Sequence, residues 1–279
     1  MTRHLVQINS HYWHYRMAGQ GPLVFLLHAS PRNSAMFEPL IQILSRSFTV
    51  VAPDTPGYGL SDPLPHAAES LLDYLPAFDD FFNKISSQRH ASYPPTFGIY
   101  GTATGAQLGI AYAYTYPQAV QHLYIDNAAH FDDDLRDEIL RQYFPDLTPQ
   151  LDGTHLRQVW QMASQFFTYF PWFETDEAHR VSSFTPNAAM IHTAAMEFLN
   201  AGPNYHLAYK AAFLHEKAEN LAKVTIPITL FRWKGAILLR YIDDLIAKGL
   251  SANVSVVETE APPAARFEGI YHRMCQTLR

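Results

Sequence analysis

Residues 96–105 read Thr-Phe-Gly-Ile-Tyr-Gly-Thr-Ala-Thr-Gly. The first five form a short run that fits a strand buried on both faces. The next five, Gly101-Thr102-Ala103-Thr104-Gly105, place small residues where a chain has to turn sharply. The stretch that follows, to Tyr116, reads as a helix stopped by Pro117. A strand entering a helix through one tight turn is a joint of a parallel strand–helix unit.

The same alternation extends outward on both sides. Upstream, residues 3–9 and 11–17 read as an antiparallel pair joined at Ser10. Residues 23–28 (Leu-Val-Phe-Leu-Leu-His) are a continuous apolar run, and 48–53 are a further buried strand. Helices are predicted over 34–45 and 67–86, and the turn-rich Asp-Thr-Pro-Gly-Tyr-Gly at 54–59 lies between. Downstream comes a strand at 122–125. Residues 130–219 carry no strand signal. They hold Phe166, Phe167, Tyr169, Phe170, Trp172 and Phe173, and are cut into short helices by Pro145, Pro149, Pro171, Pro186 and Pro203. This segment reads as a helical cap inserted after a strand that ends at Asp126. The alternation resumes with a strand at 226–233, a helix at 238–250, a strand at 254–259 and a helix at 265–278. The fold class is therefore α/β, a mostly parallel sheet with helices on both faces. The core domain takes 1–129 and 220–279, and the cap takes 130–219.

Composition narrows the function classes. The 279 residues are 48% hydrophobic and 14% aromatic, which suits a globular domain with a large core. Twenty basic against 26 acidic residues give a net charge of −6 and no basic stripe, so nucleic acid is not an expected partner. The single cysteine, Cys275, excludes a disulfide framework and a cysteine-rich metal site. The first 19 residues alternate polar with apolar, unlike a signal peptide, and no apolar run approaches the ~20 residues that cross a bilayer. A soluble, cytoplasmic protein with no membrane partner is expected. No cofactor motif or metal spacing stands out, and His4, His11 and His14 lie on the early strands. A small molecule is the expected partner. Nothing in the sequence speaks to oligomeric state.

Four segments carry a family resemblance: Leu-Leu-His-Ala-Ser-Pro at 26–31, Ala-Pro-Asp-Thr-Pro-Gly-Tyr-Gly-Leu-Ser-Asp at 52–62, Tyr-Gly-Thr-Ala-Thr-Gly at 100–105, and Tyr-Pro-Gln-Ala-Val-Gln-His-Leu-Tyr-Ile-Asp at 116–126. In this order the chain resembles α/β-hydrolase fold proteins of the lipase and epoxide-hydrolase kind, cap included. It also resembles a less-studied branch of that fold through Ser-Pro-Arg-Asn-Ser at 30–34, Asp-Gly-Thr-His-Leu at 152–156 and Phe-Pro-Trp-Phe at 170–173.

The resemblance makes 101–105 a nucleophile elbow with Ala103 at its centre, where a methyl group cannot attack a carbonyl. The Thr102 and Thr104 hydroxyls would point away from the substrate. The backbone N–H groups of Ser30 and Thr104 would form an oxyanion hole. No carboxylate follows the strand at 226–233, since Asp243 and Asp244 fall on a helix face. Asp126 is the remaining candidate for the acid, or else a cap for the next segment. No histidine lies in the loop at 258–266; Arg266 stands near the vacated place as a fixed charge or a helix-start residue, and His272 lies further on within the last helix. In the cap, Asp152 and His155 share a helix face. They either open a helix or, facing the elbow, supply His155 as a general base. His28 is a third titratable candidate, and His130 a candidate for the cleft rim. These features imply an atypical enzyme acting on a small apolar or aromatic carbonyl compound. The alternatives are a binding protein that has lost its triad, or a serine hydrolase with serine replaced by alanine.

Overall fold

The computed structural model describes residues 1–88 and 96–278. Eight strands form one sheet: β1 (Thr2–Ile8), β2 (His11–Ala18), β3 (Leu23–Leu27), β4 (Thr49–Pro53), β5 (Phe97–Thr102), β6 (Val120–Asp126), β7 (Ile228–Trp233) and β8 (Val254–Thr259). The helices are α1 (Glu38–Leu44), α2 (Leu75–Ser87), α3 (Thr104–Thr115), α4 (Asp133–Gln142), α5 (Thr154–Gln165), α6 (Ala188–Ala201), α7 (His206–His215), α8 (Ala218–Ala222), α9 (Leu239–Ala247) and α10 (Pro263–Thr277). The strand order is β1-β2-β4-β3-β5-β6-β7-β8, with the β1–β2 and β2–β4 pairings antiparallel and the other five parallel.

The continuous apolar runs are explained by burial on both faces. Leu23, Phe25 and Leu27 of β3 pack with Phe78, Phe81 and Phe82 of α2 and with Leu108 and Ile110 of α3. Val24 and Leu26, alternating with them, pack with Leu40, Ile41 and Leu44 of α1 and with Ile270 and Met274 of α10. The β1–β2 hairpin turns through Asn9 at φ 53°, a conformation asparagine tolerates better than most residues.

Helix starts differ from the sequence reading. The helix expected at 34–45 opens with a 3-10 turn, Ser34–Phe37, and the one expected at 67–86 opens with Leu71–Tyr74. In both, a proline follows in the first turn of α1 or α2, where its missing N–H costs nothing. The strand expected at 122–125 extends over Val120–Asp126.

The segment at 130–219 alternates helices with loops, and its only strand-like pairing among the described residues is one bridge, Tyr169 to Arg180. Its own core gathers Phe131, Tyr143, Phe170, Trp172, Phe198 and Phe213. Ala208, Ala211 and Ala212 of α7 instead join the core that includes α3. Among the described residues no helix is long and apolar enough to cross a membrane.

The joint between β5 and α3 is sterically exact in two places. A Cβ on Gly105 would lie 1.9 Å from the Leu27 carbonyl oxygen, and one on Gly101 would lie 2.2 Å from the Gly105 carbonyl oxygen. Between them Ala103 is held at φ 49°, ψ −116°, a strained conformation for an L-residue that costs roughly 1–3 kcal/mol. Gly105→Ala is therefore expected to lower stability by about 3 kcal/mol or more. Ala103→Gly should raise it by about 1 kcal/mol. Urea unfolding of both variants checks the pair.

Candidate active site

Three loops meet at the C-terminal ends of β3, β5 and β6. The elbow contributes Ala103, which is partly exposed, whereas Gly101, Thr102, Thr104 and Gly105 are buried. Open space therefore reaches the methyl at the turn. The Ala103 N–H donates to the Asp126 carbonyl at 3.0 Å, which ties the elbow to the end of β6. The Thr104 N–H is in the first turn of α3, where no helical acceptor exists, so it projects partial positive charge.

The loop after β3 carries Ser30. Its N–H donates to Thr104 Oγ1 over a long 3.4 Å, so the two expected oxyanion donors adjoin, and the threonine hydroxyl rests on one of them. Thr102 Oγ1 accepts from Asn127 Nδ2 at 3.2 Å. Both hydroxyls flanking Ala103 are thus engaged with neighbouring backbone or side chain.

Two buried groups hold the Ser30 loop. Asp54, at the end of β4, accepts from Ser34 N–H at 2.7 Å, Leu60 N–H at 3.0 Å and His14 Nδ1 at 2.9 Å. Burial opposes its charge, but His14, His28 and these donors hold its pKa down at about 2. The second is His28. Its Nε2 accepts from the Thr55 N–H at 2.8 Å, which leaves Nδ1 to donate to the Ala29 carbonyl at 3.0 Å. Burial lowers its pKa. Both ring nitrogens of His28 are engaged with backbone, which ties two loops together.

Asp126 is fully buried, and its side chain is saturated. Oδ2 accepts from Tyr100 Oη at 3.0 Å, from Arg266 Nε at 2.9 Å and from Arg266 Nη2; Oδ1 accepts from Asn127 Nδ2 at 3.1 Å. Arg266, in the first turns of α10, also lies over the Trp233 ring, 4.2 Å from its centroid. The corner that the resemblance reserves for an acid and a histidine therefore holds a carboxylate and a guanidinium. His272 lies exposed within α10, as expected. Asp243 is not merely solvated: it binds Arg232 through both oxygens, at 2.6 and 2.8 Å.

His155 stands at the start of α5, where Nδ1 accepts from the Gln150 N–H at 3.0 Å. Asp152 accepts from the Thr154 N–H and hydroxyl, at 2.9 and 2.7 Å, and not from His155. These contacts match the helix-opening alternative for the pair. His130 accepts from the Ala218 N–H at 3.4 Å and borders an outer depression with Asp132, Asp244 and Lys248.

The sequence reading missed a buried polar chain between core and cap. Glu216, just after α7, accepts from the Ala129 N–H at 2.9 Å and lies against the Gln107 side chain. His215 Nδ1 meets Gln107 Oε1 at 2.9 Å, and Tyr114 Oη meets His215 Nε2 at 3.2 Å. Burial pushes the Glu216 carboxyl up to about 8, against the favourable influence of the Ala129 N–H, and pulls His215 down to about 4. One signal was available: Gln107 is a lone amide in an otherwise small and apolar stretch of α3, one turn beyond Ala103. Glu216 had none, because Leu-His-Glu-Lys-Ala-Glu reads as a solvated helix end.

The loop that carries Ser30 is also fastened to α6. Arg32 Nε lies 3.1 Å from both carboxylate oxygens of Glu197 on α6.

Comparison with known proteins agrees with this geometry. The family model of the alpha/beta hydrolase fold matches residues 22–226, and the chain belongs to that family. An uncharacterized protein of Mycobacterium tuberculosis is 32% identical over 114 residues, 41% of this chain and 31% of that one. The 2-(acetamidomethylene)succinate hydrolase of Mesorhizobium japonicum is 36% identical over 108 residues, 38% of this chain and 35% of the relative. The chain spans between 31% and 48% of the curated relatives it matches, and these include named hydrolases. A bromoperoxidase structure from Bacillus anthracis superposes with a TM-score of 0.72 at 14% identity, covering 99% of each chain.

The Glu216 carboxyl yields a signed pH dependence. Burial pushes it from its ordinary 4.5 up to about 8, so the folded chain keeps a proton that the unfolded chain loses. Stability should be full below about pH 4.5 and fall as pH rises to about 8. Glu216→Gln should flatten that slope and be the more stable protein at pH 8.5. Urea midpoints across this range measure both.

Proposed function

We propose that this α/β-hydrolase family member acts on a small, largely apolar or aromatic carbonyl compound, without forming a covalent acyl intermediate. The observation that carries this reading is the Asp126–Arg266 pair beside the partly exposed Ala103 methyl. A guanidinium that stays protonated cannot serve as a base at neutral pH. A methyl has no lone pair with which to attack. What remains is polarisation: the Thr104 N–H and the N-terminus of α3, joined by the Ser30 N–H once it leaves its long contact with Thr104 Oγ1, favour charge developing on a carbonyl oxygen. Glu216, protonated at neutral pH and set against Gln107, one turn of α3 beyond Ala103, is a candidate proton donor. The named hydrolases among the relatives support a small-molecule reaction in the same covered place.

The spent rings of His28 and His155 favour a second reading, a binding protein that retains the place and turns nothing over. A serine hydrolase silenced only at position 103 fits poorly, because restoring a hydroxyl there would not restore an imidazole beside it.

The Ala103→Ser variant is expected to take up no fluorophosphonate label and to show no burst with p-nitrophenyl esters. Stoichiometric labelling would overturn the non-covalent reading. Wild-type protein incubated with small aromatic esters, lactones and ketones is expected to convert at least one of them in a fluorophosphonate-insensitive way, read by mass spectrometry. Recovery of every compound unchanged would sink the enzyme and leave the binder.

A further inference from the structure

Arg266 has more donors than its structural partners use. A guanidinium presents five N–H groups. Nε donates to Asp126, and Nη2 reaches both Asp126 and, at 3.4 Å, the Tyr100 hydroxyl oxygen. The two N–H groups of Nη1 have no partner among the described residues. Asp126 does not need them, since four contacts from Tyr100, Asn127 and Arg266 already surround its oxygens.

The unspent edge is held in place. Trp233 lies 4.2 Å from the guanidinium carbon on one face, and the Asp126 pairing fixes rotation within the plane. The side chain is 12% exposed, so it touches open space, and the edge facing away from Asp126 is the one still unpaired. Asp126 also ties this edge to the elbow, because its carbonyl accepts from Ala103 at 3.0 Å while its carboxylate holds Arg266.

Charge limits the ligand. The nearby cations Arg232 and Lys234 are committed, the first to Asp243 and Glu258 and the second to Glu258 and Glu260. Arg266 itself is half-balanced by Asp126. One negative charge, shared over two oxygens that accept from Nη1, suits this arrangement; a dianion would meet Asp126 with no second cation to offset it.

We propose that Arg266 Nη1 is an anchor for a carboxylate, so that the ligand is a small monocarboxylate with an apolar body. This rests on the reading that a small molecule occupies the space above Ala103. A neutral carbonyl compound would leave the anchor unused, and a carboxylic acid would use it together with the amides at the elbow.

Calorimetric titration at low salt, near pH 7, tests the proposal with phenylacetate and hexanoate against phenylacetamide and hexanamide, and with phenyl phosphate. Wild-type protein is expected to bind an acid at least about tenfold tighter than its amide, the worth of one charge-assisted hydrogen bond. Removing Arg266 alone would leave Asp126 buried without its cation, so the variant is Asp126→Asn/Arg266→Gln, a neutral pair of similar shape whose fold is checked by near-ultraviolet circular dichroism. It is expected to bind acid and amide equally. Amides binding as tightly as acids to wild type, an acid preference that survives in the double variant, or tighter binding of phenyl phosphate would each overturn the anchor and leave the occupied space standing. Failure of acids and amides alike to bind would remove the occupied space, and the anchor with it.

Discussion

One close approach of backbone to backbone governs the rest. The first turn of α3 passes so near β3 that nothing larger than a hydrogen fits at Gly105 against the Leu27 carbonyl. This contact presses the elbow against the loop that carries Ser30 and forces Ala103 into its positive-φ turn. It also aims the unpaired amides of the α3 start at the strand ends. The donors of the site are therefore consequences of packing, independent of whichever side chain occupies position 103.

Two buried carboxylates then organise the loops around that joint. Asp54 gathers the N–H groups of Ser34 and Leu60, so the segments following β3 and β4 share one acceptor. Asp126 gathers Tyr100, Asn127 and Arg266, which joins β5, β6 and α10. The donors around Asp54 hold its carboxyl well below the usual range, so it behaves as a fixed structural anion. Glu216 lies at the opposite extreme, with few donors and full burial, and it keeps its proton near neutral pH. Within one site, hydrogen-bond supply decides which acids can trade protons.

Much of the fold was legible because its signals are local. The apolar runs of β3, β4 and β5, the glycines at 101 and 105, and Pro117 after α3 each act within a few residues of themselves. Helix starts were less legible, since a 3-10 turn and an α-turn share the same sequence preferences at Ser34 and Leu71. The site was read unevenly. Ala103, Ser30, Thr104 and the vacated histidine place are positions on known turns. The roles of His28, His155 and Glu216 depend on partners 27, 5 and 87 residues away. Only the folded chain shows whether a ring nitrogen is already spent or a carboxyl is deprived of water. Arg266 lay between these cases: its place was visible from the loop before α10, while its bond to Asp126 spans 140 residues.

The Arg32–Glu197 contact links traffic to recognition. The loop that offers Ser30 is clasped by a cap helix, and burial already disfavours the Glu197 carboxylate that does the clasping. Lifting the cap would break that clasp and release the loop in the same motion. One ion pair thus fastens α6 to the turn beside Ser30, so a displacement of either strains its neighbour across 165 residues of sequence.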